Sequence, residues 1–214
     1  MAFKHIAAAL FAAFIGLLAA SSQSVAEPFK IVGFGDSLMA GYNLNSGESF
    51  PEKLEAALRN KGHDVVISNA GVSGDTTSAG LSRLDWSVPD GTDLVILELG
   101  ANDMLRGISP GITEKNLDTM IGKLKDRGIM VYLAGMQAAP NLGADYGNRF
   151  NEIFPQLATK YDIPLYPFFL DGVAADQSLL LEDGMHPNAE GVDRMVERFL
   201  PDFEKIVDAN AKPS

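Results

Sequence analysis

The chain has no cysteine, one tryptophan and only three histidines in 214 residues. Without cysteine there can be no disulfide and no thiol chemistry, so stability must come from packing. Positive charge is also scarce. Seventeen Lys and Arg face 28 Asp and Glu, for a net charge of −11. Such a surface argues against nucleic acid as a partner and against electrostatic docking on anionic lipid.

Long apolar runs are missing except at the N-terminus, where Lys4 precedes Ile6–Ala20 and the sequence "SSQSVA" ends in Ser24-Val25-Ala26. A short positive start, an apolar stretch and small residues before the junction predict a signal peptide over residues 1–26, cut between Ala26 and Glu27. The run falls short of the roughly 20 residues a bilayer span needs, and without cysteine no lipid can be attached at position 27. The expectation is an exported protein, periplasmic or secreted, with no stable membrane anchor and a single domain over residues 27–214. That length is enough for one substantial core. Loss of Lys4 makes the mature chain one unit more acidic. With His5 in the leader, His63 and His186 are the imidazoles available for chemistry.

Strand-like and helix-like segments alternate along the remainder. "FKIVGF", "DVVISNAG", "DLVILELG", "IMVYLAGM" and "IPLYPF" predict five strands; "DLVILELG", apolar on both faces, reads as a central parallel one. Between and after them, helical spacing marks "FPEKLEAALRNKG" with Gly62 at its end, "DTTSAGLSRLDW" with Asp75 as N-cap, and "TEKNLDTMIGKLKDRG". It continues over Tyr146–Tyr161 and Asn188–Asp208. Five βα units imply an α/β fold, a parallel sheet covered by helices on both faces.

Open α/β sheets bind ligands at the carboxyl ends of their strands, and the polar residues collect there. Strand one leads into "FGDSLMAGY", which sets Asp36 and Ser37 among glycines directly after an apolar run. Strand two leads into Asn69-Ala70-Gly71 and strand three into Gly100-Ala101-Asn102-Asp103. Beyond strand five come Asp183-Gly184-Met185-His186-Pro187. Singly, each has a structural explanation: a turn glycine, a helix cap, a residue before a proline. Together they place a hydroxyl, a glycine amide, a carboxamide, a carboxylate and an imidazole on one edge, the inventory of acyl transfer. Three residues of spacing on a turn eased by Gly184 let Asp183 reach the near nitrogen of His186, leaving the far one to accept the Ser37 proton. His63, between a helix and a strand, falls at the opposite edge and reads as a solvated loop histidine.

These blocks, Ser37 in "GDSL", Gly71 in "NAGVSGDT", Asn102 in "GAND" and His186 in "DGMHPN", resemble the GDSL family of lipolytic enzymes, the SGNH hydrolase superfamily. "GDSLMAGY", "LELGANDMLRG" and "YGNRFNEIFP" are similar to its exported thioesterase, lysophospholipase and arylesterase subgroup from Gram-negative bacteria. The resemblance implies a flavodoxin-like three-layer sandwich with strand order 2-1-3-4-5. It implies Ser37 as nucleophile, His186 as base, Asp183 as its partner, and an oxyanion hole of the Ser37 and Gly71 amides with the Asn102 side chain. The serine lacks the G-x-S-x-G elbow of α/β-hydrolases, Met39 standing in the last glycine's place. No cofactor or metal is called for, the partner is a small ester or lipid substrate, and a monomer is favoured. Met104–Ile108 aligns with a loop that contacts acyl chains in that subgroup, and the Gly135–Gly147 segment, longer than expected, should border the pocket. Two other functions remain on the same scaffold: an O-acetylesterase acting on polysaccharide or peptidoglycan, and a flavodoxin-like binding module without catalysis.

Overall fold

The computed structural model describes residues 27–211, so the leader and its cleavage site lie outside the described residues. Five strands, β1 (Phe29–Gly35), β2 (Val65–Gly71), β3 (Leu94–Glu98), β4 (Met130–Ala134) and β5 (Leu165–Tyr166), form one sheet in the order β2-β1-β3-β4-β5. Every pairing is parallel, with Gly35 opposite Gly71 and Phe34 opposite Leu97. Seven α-helices surround it: α1 (Ser37–Ala40), α2 (Phe50–Asn60), α3 (Thr77–Ser87), α4 (Ala101–Leu105), α5 (Pro110–Asp126), α6 (Ala144–Tyr161) and α7 (Ala189–Asn210). The expected sandwich and strand order are both observed. Among the described residues no helix is long and apolar enough to cross a membrane.

All five residues of β3 are buried, as a strand covered on both faces requires. One covering layer is α2 packed on α7; the other joins α3 to α5 and α5 to α6. α7 buries Val192, Met195, Val196, Phe199, Phe203 and Val207 along one stripe. Its Phe199 meets Phe50, Tyr132 and Tyr166 edge-on, with centroids 4.9 to 5.1 Å apart. Each such side chain taken out of water contributes about 1.5–3 kcal/mol.

The boundaries depart from the sequence expectation where caps and prolines decide them. β5 is two residues rather than the run "IPLYPF", because Pro164 and Pro167 flank it and a proline has no N–H for the ladder. α5 starts at Pro110, one turn before the expected Thr113, since proline suits the first helical position. α3 is capped by Thr76, whose Oγ1 accepts from the Ala79 N–H, and not by Asp75, which pairs with the Arg83 guanidinium at 2.6 Å. His63 does lie at the amino edge of the sheet, but it is not solvated. Its side chain is 15% exposed and its Nε2 sits 3.0 Å from Glu204 of α7.

The carboxyl ends of β1 and β3 meet so closely that a Cβ on Gly35 would lie 2.5 Å from Glu98 Oε2. Glu98 is buried there, and its Oε2 accepts the Asp36 N–H at 3.2 Å while Oε1 has no partner among the described residues. Burial raises the Asp36 carboxyl to about 6, against the opposing pull of the Leu38 amide and the Asn102 side chain. Glu98 is raised well above the carboxylate range by burial first and then by the nearby Asp36 charge. In the window above the unfolded-chain carboxyl range and below the raised folded values, the folded state holds more protons. Stability therefore falls as pH rises through it. Glu98→Gln removes one of the two titrating groups. The drop in melting temperature between about pH 5 and about pH 8 should be smaller in this variant than in the wild type. An unchanged drop, followed by thermal unfolding, would show that Glu98 does not titrate in that window.

Candidate active site

Ser37 opens α1, a single turn held between β1 and the core. Leu38 and Met39 bury beneath it, and Asp36 caps it by accepting the Leu38 N–H on Oδ1 at 3.0 Å. The Ser37 hydroxyl therefore has a fixed place at the sheet's carboxyl edge, with the residue 8% exposed.

The imidazole arrives from the segment after β5. Leu180 bridges Pro187 in antiparallel fashion and the Leu181 N–H donates to the His186 carbonyl at 2.7 Å, which closes residues 181–186 into a tight loop. Inside that loop Asp183 Oδ1 accepts the backbone N–H groups of Met185 and His186, at 2.9 and 3.0 Å, and Oδ2 lies 2.6 Å from His186 Nδ1. These donors, the His186 amide foremost, hold the Asp183 carboxyl down at about 2, so it is charged at neutral pH. A carboxylate only accepts, so it assigns the proton to Nδ1 and leaves Nε2 as an acceptor. Nε2 lies 2.8 Å from Ser37 Oγ. The Asp36 carboxylate, 3.5 Å from the same hydroxyl, is a much weaker competitor for its proton. Tyr42 lies against the imidazole with ring centroids 4.5 Å apart. A hydroxyl in that setting can be deprotonated as it attacks a carbonyl.

The other two residues singled out in the sequence sit beside this pair. Gly71 ends β2, and a Cβ there would run into the Ala40 backbone of α1, so only glycine lets its amide come this near. Its N–H is held by Asn69 Oδ1 at 2.9 Å, while Asn69 Nδ2 reaches the Ala40 carbonyl and Ser49 Oγ. Asn102, in the first turn of α4, donates from Nδ2 to Asp36 Oδ2 at 3.0 Å. Among the described residues no cluster of three or more His, Asp or Glu is placed to hold a metal ion.

A cavity of about 500 Å³ opens from Ser37 and His186. Met104 and Leu105 form part of its wall, as the sequence suggested, and Met136, Ala138 and Pro140 bring in the Gly135–Gly147 segment. Ile108 is not among its lining residues; it belongs to the turn after α4, where its carbonyl accepts from Tyr146 Oη at 2.8 Å. Phe168, Leu170 and Met185 complete the wall, from a segment to which no such role was given.

Arg83 escaped the sequence reading, and Asp103, noted there beside Asn102, was given no supporting role. Arg83 is buried, donates to the Gly35 and Ala70 carbonyls at 2.9 Å each, and covers the Phe34 ring at 4.1 Å, which ties the ends of β1 and β2 together. Asp103, buried behind Asn102, accepts from the Thr77 N–H at 2.7 Å and from Thr77 Oγ1 and Thr113 Oγ1 at 2.5 and 3.2 Å. The only signal for Arg83 was an arginine on a short, otherwise small and apolar helix face.

Residues 34–194 match the model of the GDSL-like lipase/acylhydrolase family. An arylesterase from Vibrio mimicus is 41% identical over 174 residues, covering 81% of this chain and 86% of that one. The thioesterase 1/protease 1/lysophospholipase L1 of Escherichia coli is 35% identical over 170 residues, covering 79% and 78%. The crystal structure of AlinE4, an SGNH-hydrolase family esterase, superposes with a TM-score of 0.72 at 48% identity, over 89% of this chain and all of that one. The chain belongs to the GDSL-like lipase/acylhydrolase family, within the SGNH hydrolases, and is a serine ester hydrolase.

Proposed function

We propose that Ser37, His186 and Asp183 form the catalytic unit of an exported esterase that cleaves carboxylic esters of apolar acids through an acyl-enzyme. The observation that carries this reading is the line of contacts from Asp183 Oδ2 through the imidazole to Ser37 Oγ, 2.6 and 2.8 Å long. His186 Nε2 takes the hydroxyl proton as Ser37 Oγ bonds to the carbonyl carbon. The carbonyl π electrons move to oxygen, and the resulting oxyanion is met by the Ser37 and Gly71 N–H groups and the Asn102 carboxamide. Collapse expels the alcohol, which takes its proton from the imidazolium. Water then repeats the sequence on the acyl-serine and frees the acid. For the Gly71 amide to serve, the Asn69 carbonyl that now accepts from it must share or give up that hydrogen bond.

The groove supports an apolar acyl group. Its lining contains no Asp, Glu, Lys or Arg, and methionines at positions 104, 136 and 185 adapt to chains of differing shape. The relatives' names include a thioesterase and a lysophospholipase, and we extend both substrate classes to this chain. Residues 1–26 are assigned as a cleaved leader and residues 27–214 as the hydrolase domain.

Ser37→Ala and His186→Ala should each lower kcat by several orders of magnitude with the fold retained, because members of such a unit fail together. Asp183→Ala should cost less. His63→Ala, at the far edge of the sheet, is the control; a loss there equal to that of His186→Ala would remove His186 as the base.

Leu105→Ser should depress kcat/KM for p-nitrophenyl decanoate while leaving the acetate nearly unchanged, since each buried methylene contributes about 0.8 kcal/mol. Ile108→Ser, off the groove, should leave the profile as it is. A uniform loss across chain lengths with Leu105→Ser would place the acyl chain elsewhere.

N-terminal sequencing of the exported protein should begin at Glu27. Recovery of a species that retains Met1 in the membrane fraction would mean an anchored enzyme.

A further inference from the structure

We infer that Asp36 is a positioning residue: its carboxylate fixes the rotation of the Asn102 carboxamide so that an N–H, and not the carbonyl oxygen, faces the developing oxyanion. The inference deepens the reading above and rests on Asn102 serving as an oxyanion donor.

A side-chain carboxamide has two ends of nearly equal shape and opposite character. Turned one way it offers a donor to an oxyanion; turned the other it presents a repelling oxygen. Something must choose between them, and a neighbour that can only accept hydrogen bonds does so without ambiguity. Asp36 Oδ2 is that neighbour, 3.0 Å from Asn102 Nδ2. One amide proton is spent on it, and the second lies in the same plane, directed away from the carboxylate. The selector is itself immobile. Asp36 is fully buried, its Oδ1 accepts the Leu38 N–H at 3.0 Å, and its own N–H is held by Glu98 Oε2 at 3.2 Å. One carboxylate thereby sets the hydroxyl, through the cap of α1, and the carboxamide, through α4, in a single frame.

Capping alone would explain an aspartate at this position, but it would not explain why the second oxygen of a fully buried carboxylate is turned to Asn102. Burying a carboxylate is costly unless it is paired or hydrogen-bonded, and serine caps a helix as well with no charge to bury. A serine would not reach Asn102. That difference separates the two roles.

The experiment is a double-mutant cycle of Asp36→Ser and Asn102→Ala on p-nitrophenyl acetate, with melting temperatures recorded for each variant. Asn102→Ala should lower kcat by about 10²–10³, the loss expected for one oxyanion donor. Asp36→Ser should keep the fold and KM while kcat falls about 10- to 100-fold, a part of that same contribution. In the Asn102→Ala background, Asp36→Ser should cost little more, because the group it orients is gone. Should Asp36→Ser not fold, Asp36→Asn, which keeps the volume, takes its place in the cycle with the same expectation. A damaging Asn102→Ala beside a harmless Asp36→Ser overturns the inference and leaves the oxyanion reading intact. So does a loss at position 36 that persists undiminished in the Asn102→Ala background. Wild-type kcat in Asn102→Ala removes Asn102 from the site and overturns both.

Discussion

Ser37 and His186 are 149 residues apart in sequence and 2.8 Å apart in space, and most of the architecture can be understood as what that contact requires. A hydroxyl at the end of β1 can meet an imidazole carried after β5 when those two strands run the same way and finish at one edge of the sheet. The parallel order β2-β1-β3-β4-β5 meets that condition, with β1 near the middle of the sheet. Both partners are then restrained on a scale finer than the fold. Met39 and the Asp36 cap hold α1, and the Leu180–Pro187 bridge and the Asp183 carboxylate hold the loop that carries the ring. A loop alone would leave the imidazole free to swing. Here the carboxylate binds both the backbone and the side chain of the same histidine, so ring orientation and loop conformation are one constraint.

The same edge concentrates buried charge, and the three acids beneath it are treated differently. Asp103 receives three donors from α3 and α5 and joins those helices to α4. Asp36 is satisfied by the Leu38 amide and the Asn102 carboxamide, but burial still outweighs both and raises its carboxyl to about 6. Glu98 has one oxygen engaged and one without a partner among the described residues, and burial raises it well above the carboxylate range. A neutral Glu98 costs much less than a charged one there, and it would keep a second negative charge away from the proposed oxyanion site. Arg83, the buried cation of this edge, is spent on two strand-end carbonyls and Asp75, not on the acids below Ser37.

What the sequence made legible was periodicity and the residues at strand ends. Alternation of apolar runs and helical stripes located all five strands and the five longer helices, and the glycine-bounded Asp36-Ser37, Gly71, Asn102 and Asp183-x-x-His186 marked one edge. Proline chemistry was visible but underweighted: Pro164 and Pro167 cut the last strand to two residues, and Pro110 moved a helix start by a turn. Contacts that depend on where two distant side chains point could not be read in this way. His63 looked like a solvated loop residue because nothing local announces that Glu204, on the last helix, packs across from it. Arg83 and Glu98 were hidden for the same reason, since each acts through strand ends far from it in the chain. Asp36 was conspicuous from the outset, but its bond to Asn102 spans 66 residues and belongs to the fold, not to any motif.

The groove proposed for the acyl group is assembled on a different principle from the proposed catalytic unit. Ser37, Asp183 and His186 are locked by hydrogen bonds and caps, whereas the groove wall comes mostly from α4, from residues 136–140 after β4 and from the segment after β5, with Gly184 and Met185 added from the loop that carries His186. Those pieces meet the reaction centre mainly through apolar contact, which is non-directional and tolerates changes of side-chain volume better than a hydrogen-bonded array does. Leu105 and Met185, 59% and 50% exposed, stand at its mouth with apolar side chains that no hydrogen bond sets in place. With no Asp, Glu, Lys or Arg in its lining, the groove proposed for the acyl group can select by length and bulk and not by charge. Its shape can therefore drift through substitutions in α4, in residues 136–140 and in the segment after β5 while the 2.6 and 2.8 Å contacts stay as they are. On the proposed function, that difference between the two sets of forces would let acyl preference broaden while the proposed catalytic unit stays constant.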